Sequence, residues 1–204
     1  MEHVCLDLEG VLIPEIWAEV AEYTGEEQFK LTTQDLKDYS ELMDMRINLV
    51  KSIGISFSEI QSLVDKMEPF DEAREFIDWV RDNFQLTIVS DSFYELAWPL
   101  LRKLGTPAIN CHYLDIENNQ LKGYTLRQLE NKKKVVQSLK DMKFKVFASG
   151  DSYNDIQMLR EADLGVFFQA PKHIREEFKE IDGVESHADL KNLLIENSSF
   201  IGRT

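Results

Sequence analysis

His3-Val4-Cys5-Leu6-Asp7-Leu8-Glu9-Gly10 is the stretch on which the fold of this 204-residue chain turns. It is apolar up to Leu6 and then places two acids one residue apart. A short apolar run ending in charge reads as a buried strand, and residues i and i+2 of a strand share a face. Asp7 and Glu9 therefore point to one side at the strand's carboxyl end, where Gly10 lets the chain turn at once. Taken alone, the pair is better explained by a solvated strand end.

Outward from Val4–Leu8, short apolar runs recur at Leu86–Val89, Ala108–Cys111, Phe144–Ala148 and Leu164–Phe168. Helical spacing fills the gaps at Glu72–Phe84, Tyr94–Leu104, Lys133–Met142 and Asn154–Ala162, with Pro99 expected to disturb the second. Strands alternating with helices predict an α/β fold with a Rossmann-like parallel sheet. Tyr113–Leu126 alternates around Asn118-Asn119 and predicts a short β-hairpin insertion. Residues 14–68 break the rhythm. They predict helices over Ile16–Thr24, Thr33–Ile53 and Ser58–Met67, the last opened by a capping-box pattern at Ser58 and Gln61. The expected organisation is an α/β core of residues 1–13 and 69–204. A helical cap, 14–68, is inserted after the first strand over the sheet's carboxyl edge, where open α/β sheets bind ligands.

The formal charge of −14, from 23 Lys+Arg against 37 Asp+Glu, argues against nucleic acid and against an anionic membrane surface as partners. It leaves room for a small anion in a local pocket. Cys5 and Cys111 both sit in apolar runs and read as buried thiols. Met1-Glu2-His3 has no signal-peptide character, and no apolar run approaches the ~18 residues of a membrane span, so a cytoplasmic location is expected.

Two further strands end in chemistry. Val146-Phe147-Ala148-Ser149-Gly150-Asp151 finishes on an acid, with Asn154 and Asp155 following at a helix start. Ile88-Val89-Ser90-Asp91 finishes on a hydroxyl and an acid, and Lys132-Lys133-Lys134 opens the helix before the Asp151 strand. Each is bland by itself: a cap, a turn residue, a solvated face. Together they bring carboxylates, a hydroxyl and an ammonium to equivalent ends of neighbouring strands. Clustered carboxylates repel unless a cation joins them, and hard oxygen donors suit Mg²⁺. Asp7 held ionised in such a site can act as a nucleophile, while Ser90 and a lysine bind phosphoryl oxygens and Glu9 exchanges protons. In the helical stretch, Arg46 interrupts an apolar stripe of Leu42, Met43, Leu49, Val50 and Ile53. A cation there needs an anion, either a structural acid or a ligand, or must reach water along its stem. Glu15, after Pro14, reads equally as a helix-start acid or as a ligand group.

In their order, Asp7-Leu-Glu-Gly10, Ser90, a lysine and Gly150-Asp-Ser-Tyr-Asn-Asp155 resemble the four motifs of the haloacid dehalogenase superfamily. The helical insertion resembles the C1 cap of its phosphoserine phosphatases. Cys5-Leu-Asp-Leu-Glu-Gly-Val-Leu12, Pro14-Glu-Ile-Trp17, Ser90-Asp91 with Phe93-Tyr94-Glu95, and Gly123-Tyr124 with Leu126-Arg127-Gln128 are similar to the branch that also transfers phosphate from phosphoserine to homoserine. The resemblance implies Asp7 as nucleophile and Glu9 as general acid/base. It implies Asp7, the Glu9 carbonyl and Asp151 as Mg²⁺ ligands, with Asp155 supporting the metal from behind them. Ser90 and Lys132, or the adjacent Lys133, would hold phosphate, with Asp91 and Asn154 beside the substrate. Arg46 would clamp the substrate carboxylate and Glu15 its ammonium. Phosphoserine and homoserine would then be the partners, in serine and threonine biosynthesis, with a homodimer left open. Glu9 stands where the wider family has Asp, and Asp91 where ordinary phosphoserine phosphatases have Gly; both fit the phosphotransferase branch. The alternative is a capped phosphatase of another small phosphate ester. A receiver module, which also phosphorylates a strand-end Asp, has no helical stretch like 14–68.

Overall fold

The computed structural model describes residues 1–32, 35–36 and 38–201. Strand β1 (Glu2–Leu6) is buried along its whole length and forms the middle of a seven-stranded sheet. It is followed by β2 (Gln85–Phe93), β3 (Ile109–Glu117), β4 (Gln120–Thr125), β5 (Lys145–Gly150), β6 (Leu164–Phe168) and β7 (Asp182–Val184). The order across the sheet is β4-β3-β2-β1-β5-β6-β7, parallel except for β3 against β4. The chain lays β2 and β3 on one side of β1 and then crosses to start β5 on the other. The carboxyl ends of β1 and β5 thus flank a topological switch point, the place where such sheets open a crevice.

Two strand readings need correction. The hairpin is not a separate insertion: β3 pairs in parallel with β2 and continues outward into an antiparallel pair with β4. Asn118 and Asn119 make its turn at φ of 50° and 62°, a conformation that Asn tolerates better than most residues. The three-residue β7 was not expected, because Asp182-Gly183-Val184 is too short and too polar to read as an apolar run.

Between β1 and the next core helix lie α1 (Ile16–Thr24), a 3-10 turn (Glu27–Lys30), α2 (Tyr39–Ile53) and α3 (Phe57–Val64). Helix α2 starts later than expected from Thr33. Asp38 caps it by accepting from the Ser40 N–H at 2.8 Å, Asp35 and Leu36 lie in a turn and a bend, and residues 33, 34 and 37 lie outside the described residues. The capping box of α3 is Ser56 with Glu59, two residues before the expected Ser58 and Gln61. Ser58 is not free to cap, because its N–H donates to Asn119 Oδ1 at 2.9 Å while the Phe57 N–H donates to the Asn119 carbonyl at 2.9 Å. The hairpin tip thereby fastens the start of α3.

Helices α4 (Ala73–Asn83), α5 (Tyr94–Lys103), α6 (Asn131–Asp141), α7 (Ile156–Glu161), α8 (Lys172–Glu177) and α9 (His187–Asn197) complete the chain. Pro99 does not interrupt α5: burial of Leu96, Ala97, Leu100 and Leu101 around it outweighs one missing backbone bond. One apolar cluster runs without a break from Leu6, Ile88 and Phe147 in the sheet to Trp17, Phe29 and Met43 in the inserted helices. Burial of each such side chain is worth about 1.5–3 kcal/mol, which holds those helices down over the sheet. Cys5 and Cys111 are free and buried. Among the described residues no helix is long and apolar enough to cross a membrane.

Candidate active site

The carboxyl ends of β1, β2 and β5 and the inner faces of α1 and α2 enclose a cavity of about 150 Å³, the scale of a small metabolite. Asp7, Glu9, Glu15, Arg46, Ser90, Asp91, Lys132, Asp151 and Asn154 all line it. Asp155 stands directly behind.

Asp7 is fixed by its own strand. Its backbone N–H bonds the Ser149 carbonyl of β5 at 2.9 Å, and its Oδ1 accepts from the Leu8 N–H at 2.7 Å. Asp151 leaves β5 immediately beside it. Oxygen atoms of Asp7, Asp151 and Asp155 lie within 4.8 Å of one another. The packing leaves no room for a side chain behind them. A Cβ on Gly10, whose φ is +75°, would fall 2.3 Å from Asp151 Oδ2, and one on Gly150 would fall 2.2 Å from Asp155 Cγ. All three donors are hard oxygens, the set that fits Mg²⁺. Asp155 thus sits against the other two carboxylates, at the back of the cluster. One of its oxygens accepts the Asp151 and Ser152 N–H groups at 3.0 and 3.1 Å, and the other accepts Lys132 at 2.7 Å.

Lys132, rather than Lys133, is the lysine of this pocket. Asn131 staples the start of α6 to the sheet, donating to the Ser90 carbonyl at 3.3 Å and the Asn110 carbonyl at 3.2 Å. That turns the next side chain inward, so Lys132 Nζ reaches Asp7 Oδ2 at 2.7 Å and stands 3.8 Å from Asp91. Burial alone would lower this ammonium, but Asp155, Asp7 and Asp91 hold it well above its usual range. Burial pushes the Asp7 carboxyl well up, Asp155 adds to the rise, and Lys132 opposes it. Burial and then Asp155 raise Asp151 to about 7.

Ser90 is buried where the β2–β3 register shifts, and this irregularity turns the strand end toward the cavity. Glu9 Oε1 accepts the Ile16 N–H at 2.8 Å, in the first turn of α1. Burial nevertheless raises its carboxyl, with that N–H and Arg46 pulling the other way. Glu15 opens to solvent at the rim, and the nearby charge of Glu9, then burial, lifts it to about 7.

Arg46 is 8% exposed. Its Nη2 donates to the Leu31 carbonyl at 2.8 Å, its guanidinium lies 5.0 Å from the Trp17 ring centre, and its Nε has no partner. The alternatives of a structural acid or of a head reaching water are not what is seen: among the described residues no carboxylate lies within 4 Å of it.

Sequence reasoning missed several parts of this site. Trp17 stacks on Phe29 and also carries Arg46, and His112 stands 3.7 Å from Asp91. Tyr39 donates to the Asp91 carbonyl at 2.8 Å, tying α2 to the end of β2. Nothing in the linear pattern marks these three, since each acts across more than 20 residues of chain.

A family model described as a haloacid dehalogenase-like hydrolase matches residues 1–163. The chain is 44% identical over 98% of its length to the phosphoserine phosphatase ThrH of Pseudomonas aeruginosa, covering 98% of that protein. It is 42% identical to a phosphoserine phosphatase of Pseudomonas syringae, covering 98% of this chain and 84% of that protein. A substrate-bound phosphoserine phosphatase complex superposes with a TM-score of 0.77 at 20% identity, covering 95% of this chain and 96% of that one, a likeness of fold.

Proposed function

Because the chain belongs to the haloacid dehalogenase-like hydrolase family, we propose that it is a Mg²⁺-dependent phosphoserine phosphatase that also passes the phosphoryl group to homoserine. The observation that carries this reading is Arg46: a buried cation with an unpartnered Nε, facing the same small cavity as Asp7 and Lys132. A carboxylate is the anion whose planar geometry matches a guanidinium. Glu15, across the rim, gives an ammonium its counter-charge. A phosphate ester bearing both groups is a phosphorylated amino acid.

In this reading a carboxylate oxygen of Asp7 attacks phosphorus and forms an acyl phosphate as the ester P–O bond breaks. Glu9, whose raised pKa favours its protonated form, gives that proton to the leaving serine oxygen. Glu9 then takes a proton from water, which attacks phosphorus, releases inorganic phosphate and restores the Asp7 carboxylate. Ser90 and Lys132 hold the phosphoryl oxygens through both steps. Asp7, Asp151, Asp155 and the Glu9 carbonyl would hold Mg²⁺, which supplies charge neutralisation at the phosphoryl group. Residues 14–68 serve as the cap that limits water, in a cytoplasmic enzyme of serine and threonine biosynthesis.

Homoserine carries the same carboxylate and ammonium as serine, with its hydroxyl one methylene further out. One methylene is worth only about 1–3 kcal/mol of discrimination, so a site for serine need not refuse it. The test supplies phosphoserine, Mg²⁺ and rising homoserine, and measures serine, phosphate and phosphohomoserine separately. Phosphate released per serine should fall below one as phosphohomoserine appears. A ratio of one at every homoserine level would leave a plain phosphatase, and no serine release at all would remove phosphoserine as substrate.

A further inference from the structure

Among the described acids lining the cavity, Asp91 is the one that the metal cluster, the proton transfers and the ammonium contact all leave unused, yet four separate parts of the fold converge on it. Asn154, after β5, donates to its Oδ2 at 3.0 Å. Lys132 of α6 stands 3.8 Å from the same oxygen. Tyr39 of α2 bonds its carbonyl at 2.8 Å. The fourth part is His112 of β3, whose Nε2 lies 3.7 Å from Oδ1.

His112 is built to face that oxygen. The Arg127 backbone N–H donates to its Nδ1 at 3.1 Å, so in the neutral ring the proton sits on Nε2, toward Asp91. Tyr39 and Phe93 flank the ring with centroids 6.3 Å away, and the residue is 3% exposed. It does not line the metabolite cavity. It lines an adjoining one of about 450 Å³, on the far side of Asp91. Its polar face toward the site is the one turned to Asp91. Electrostatics agree with the geometry: burial alone would raise the Asp91 carboxyl, but Lys132, His112 and Asn154 hold it below the usual range.

We propose that His112 is a positioning residue for the phosphoryl pocket: it fixes the Asp91 carboxylate from behind, and Asp91 in turn sets the side chains of Asn154 and Lys132. Lys132 faces three carboxylates, and its ammonium rests where their pulls balance. If Asp91 swings, Lys132 is drawn toward Asp7 and Asp155 and away from a phosphoryl oxygen, and the Asn154 amide loses the carboxylate oxygen that accepts from it.

The inference rests on the reading that this pocket holds phosphate, so the probe is inorganic phosphate with Mg²⁺, titrated calorimetrically into the whole protein. His112→Asn keeps an acceptor near Nδ1 for the Arg127 N–H but removes the donor facing Asp91. His112→Gln returns an amide N–H near the Nε2 position. Phosphate binding should weaken about 3- to 10-fold in His112→Asn and recover in His112→Gln, with unchanged thermal midpoints in the absence of phosphate. In an Asp91→Asn background the same His112→Asn change should cost nothing more, because residues acting in series do not add. Wild-type affinity in His112→Asn, or losses that add in full in the double variant, would overturn the proposal. If the wild type binds no phosphate with Mg²⁺, the pocket reading fails and the proposal falls with it.

Discussion

Replacing Arg46 with Met separates a binding cation from a structural one. The side chain is 8% exposed, makes one backbone hydrogen bond at 2.8 Å, lies against Trp17 and leaves Nε unpaired. In the free protein this is a desolvated charge with no carboxylate within 4 Å among the described residues, only the more distant Glu9 and Glu15, an arrangement that costs stability. Methionine matches the length of the stem and removes the charge. Stability of the free protein should stay within about 1 kcal/mol of wild type or rise, since a buried charge replaced by an apolar group of similar size is often neutral or stabilising. Substrate use should move the other way. A hydrogen bond between charged partners contributes about 1.5–3 kcal/mol, which corresponds to roughly 10- to 150-fold in kcat/KM for phosphoserine. A generic aryl phosphate carries no carboxylate and should lose less than about threefold on the same scale. The assay is the ratio of kcat/KM on the two substrates, read beside thermal unfolding of the free protein. Equal losses on both substrates, or a large fall in stability, would show that Arg46 supports the fold and does not read the substrate.

Three further outcomes are expected. Asp7→Asn should abolish turnover and, in the wild type alone, acid quenching should trap a base-labile phosphate on Asp7; normal turnover in the variant would remove it as nucleophile. Gly10→Ala should sharply raise the Mg²⁺ concentration needed for half activity, because its Cβ would fall 2.3 Å from Asp151 Oδ2 at a φ of +75°; an unchanged Mg²⁺ requirement would place the metal elsewhere. His3 is buried against Phe144 and Thr87, and burial lowers its pKa to about 4, so the unfolded chain takes up its proton first as pH falls. Its contribution is intact above about pH 6.5 and is lost toward pH 4; about 1–2 kcal/mol should disappear between pH 7.5 and 5, and His3→Gln should flatten that slope in denaturant titrations.

Much of this was legible along the chain because strand ends are local. Asp7, Ser90, Asp91 and Asp151 are each announced by an apolar run that stops, and their shared place at one sheet edge follows from parallel pairing alone. Arg46 was legible as a break in a helical stripe. What escaped depends on contacts distant in sequence. Asn131 reads as an ordinary polar residue, yet its bonds to Ser90 and Asn110 decide that Lys132 and not Lys133 enters the pocket. The capping box of α3 was misplaced by two residues because Asn119, 61 residues from Ser58, competes for the same backbone. Asp155 was legible as an acid at a helix start, and only the folded site shows its carboxylate shared between two backbone N–H groups and Lys132.

The charge balance of the cavity ties metal, acid and substrate into one requirement. Asp7, Glu9, Glu15, Asp91, Asp151 and Asp155 gather there against Lys132 and Arg46, the two cations of the site among the described residues. Two like charges 4–5 Å apart repel by about 3–4 kcal/mol at an effective dielectric near 20, and a phosphate ester brings nearly two more negative charges. Such a site cannot bind its anion with every carboxylate ionised. A proton on Glu9 removes one charge and is the state its burial favours, and it is also the proton the leaving oxygen needs. A divalent cation at the Asp7, Asp151 and Asp155 oxygens offsets two more. Glu15 remains, lifted to about 7 by Glu9 beside it, and an ammonium arriving with the substrate relieves that repulsion directly. A simple sugar phosphate offers no such cation and leaves Arg46 without its carboxylate. On the proposed reading, the same acids that make the pocket electrostatically costly select an ester that carries its own positive charge.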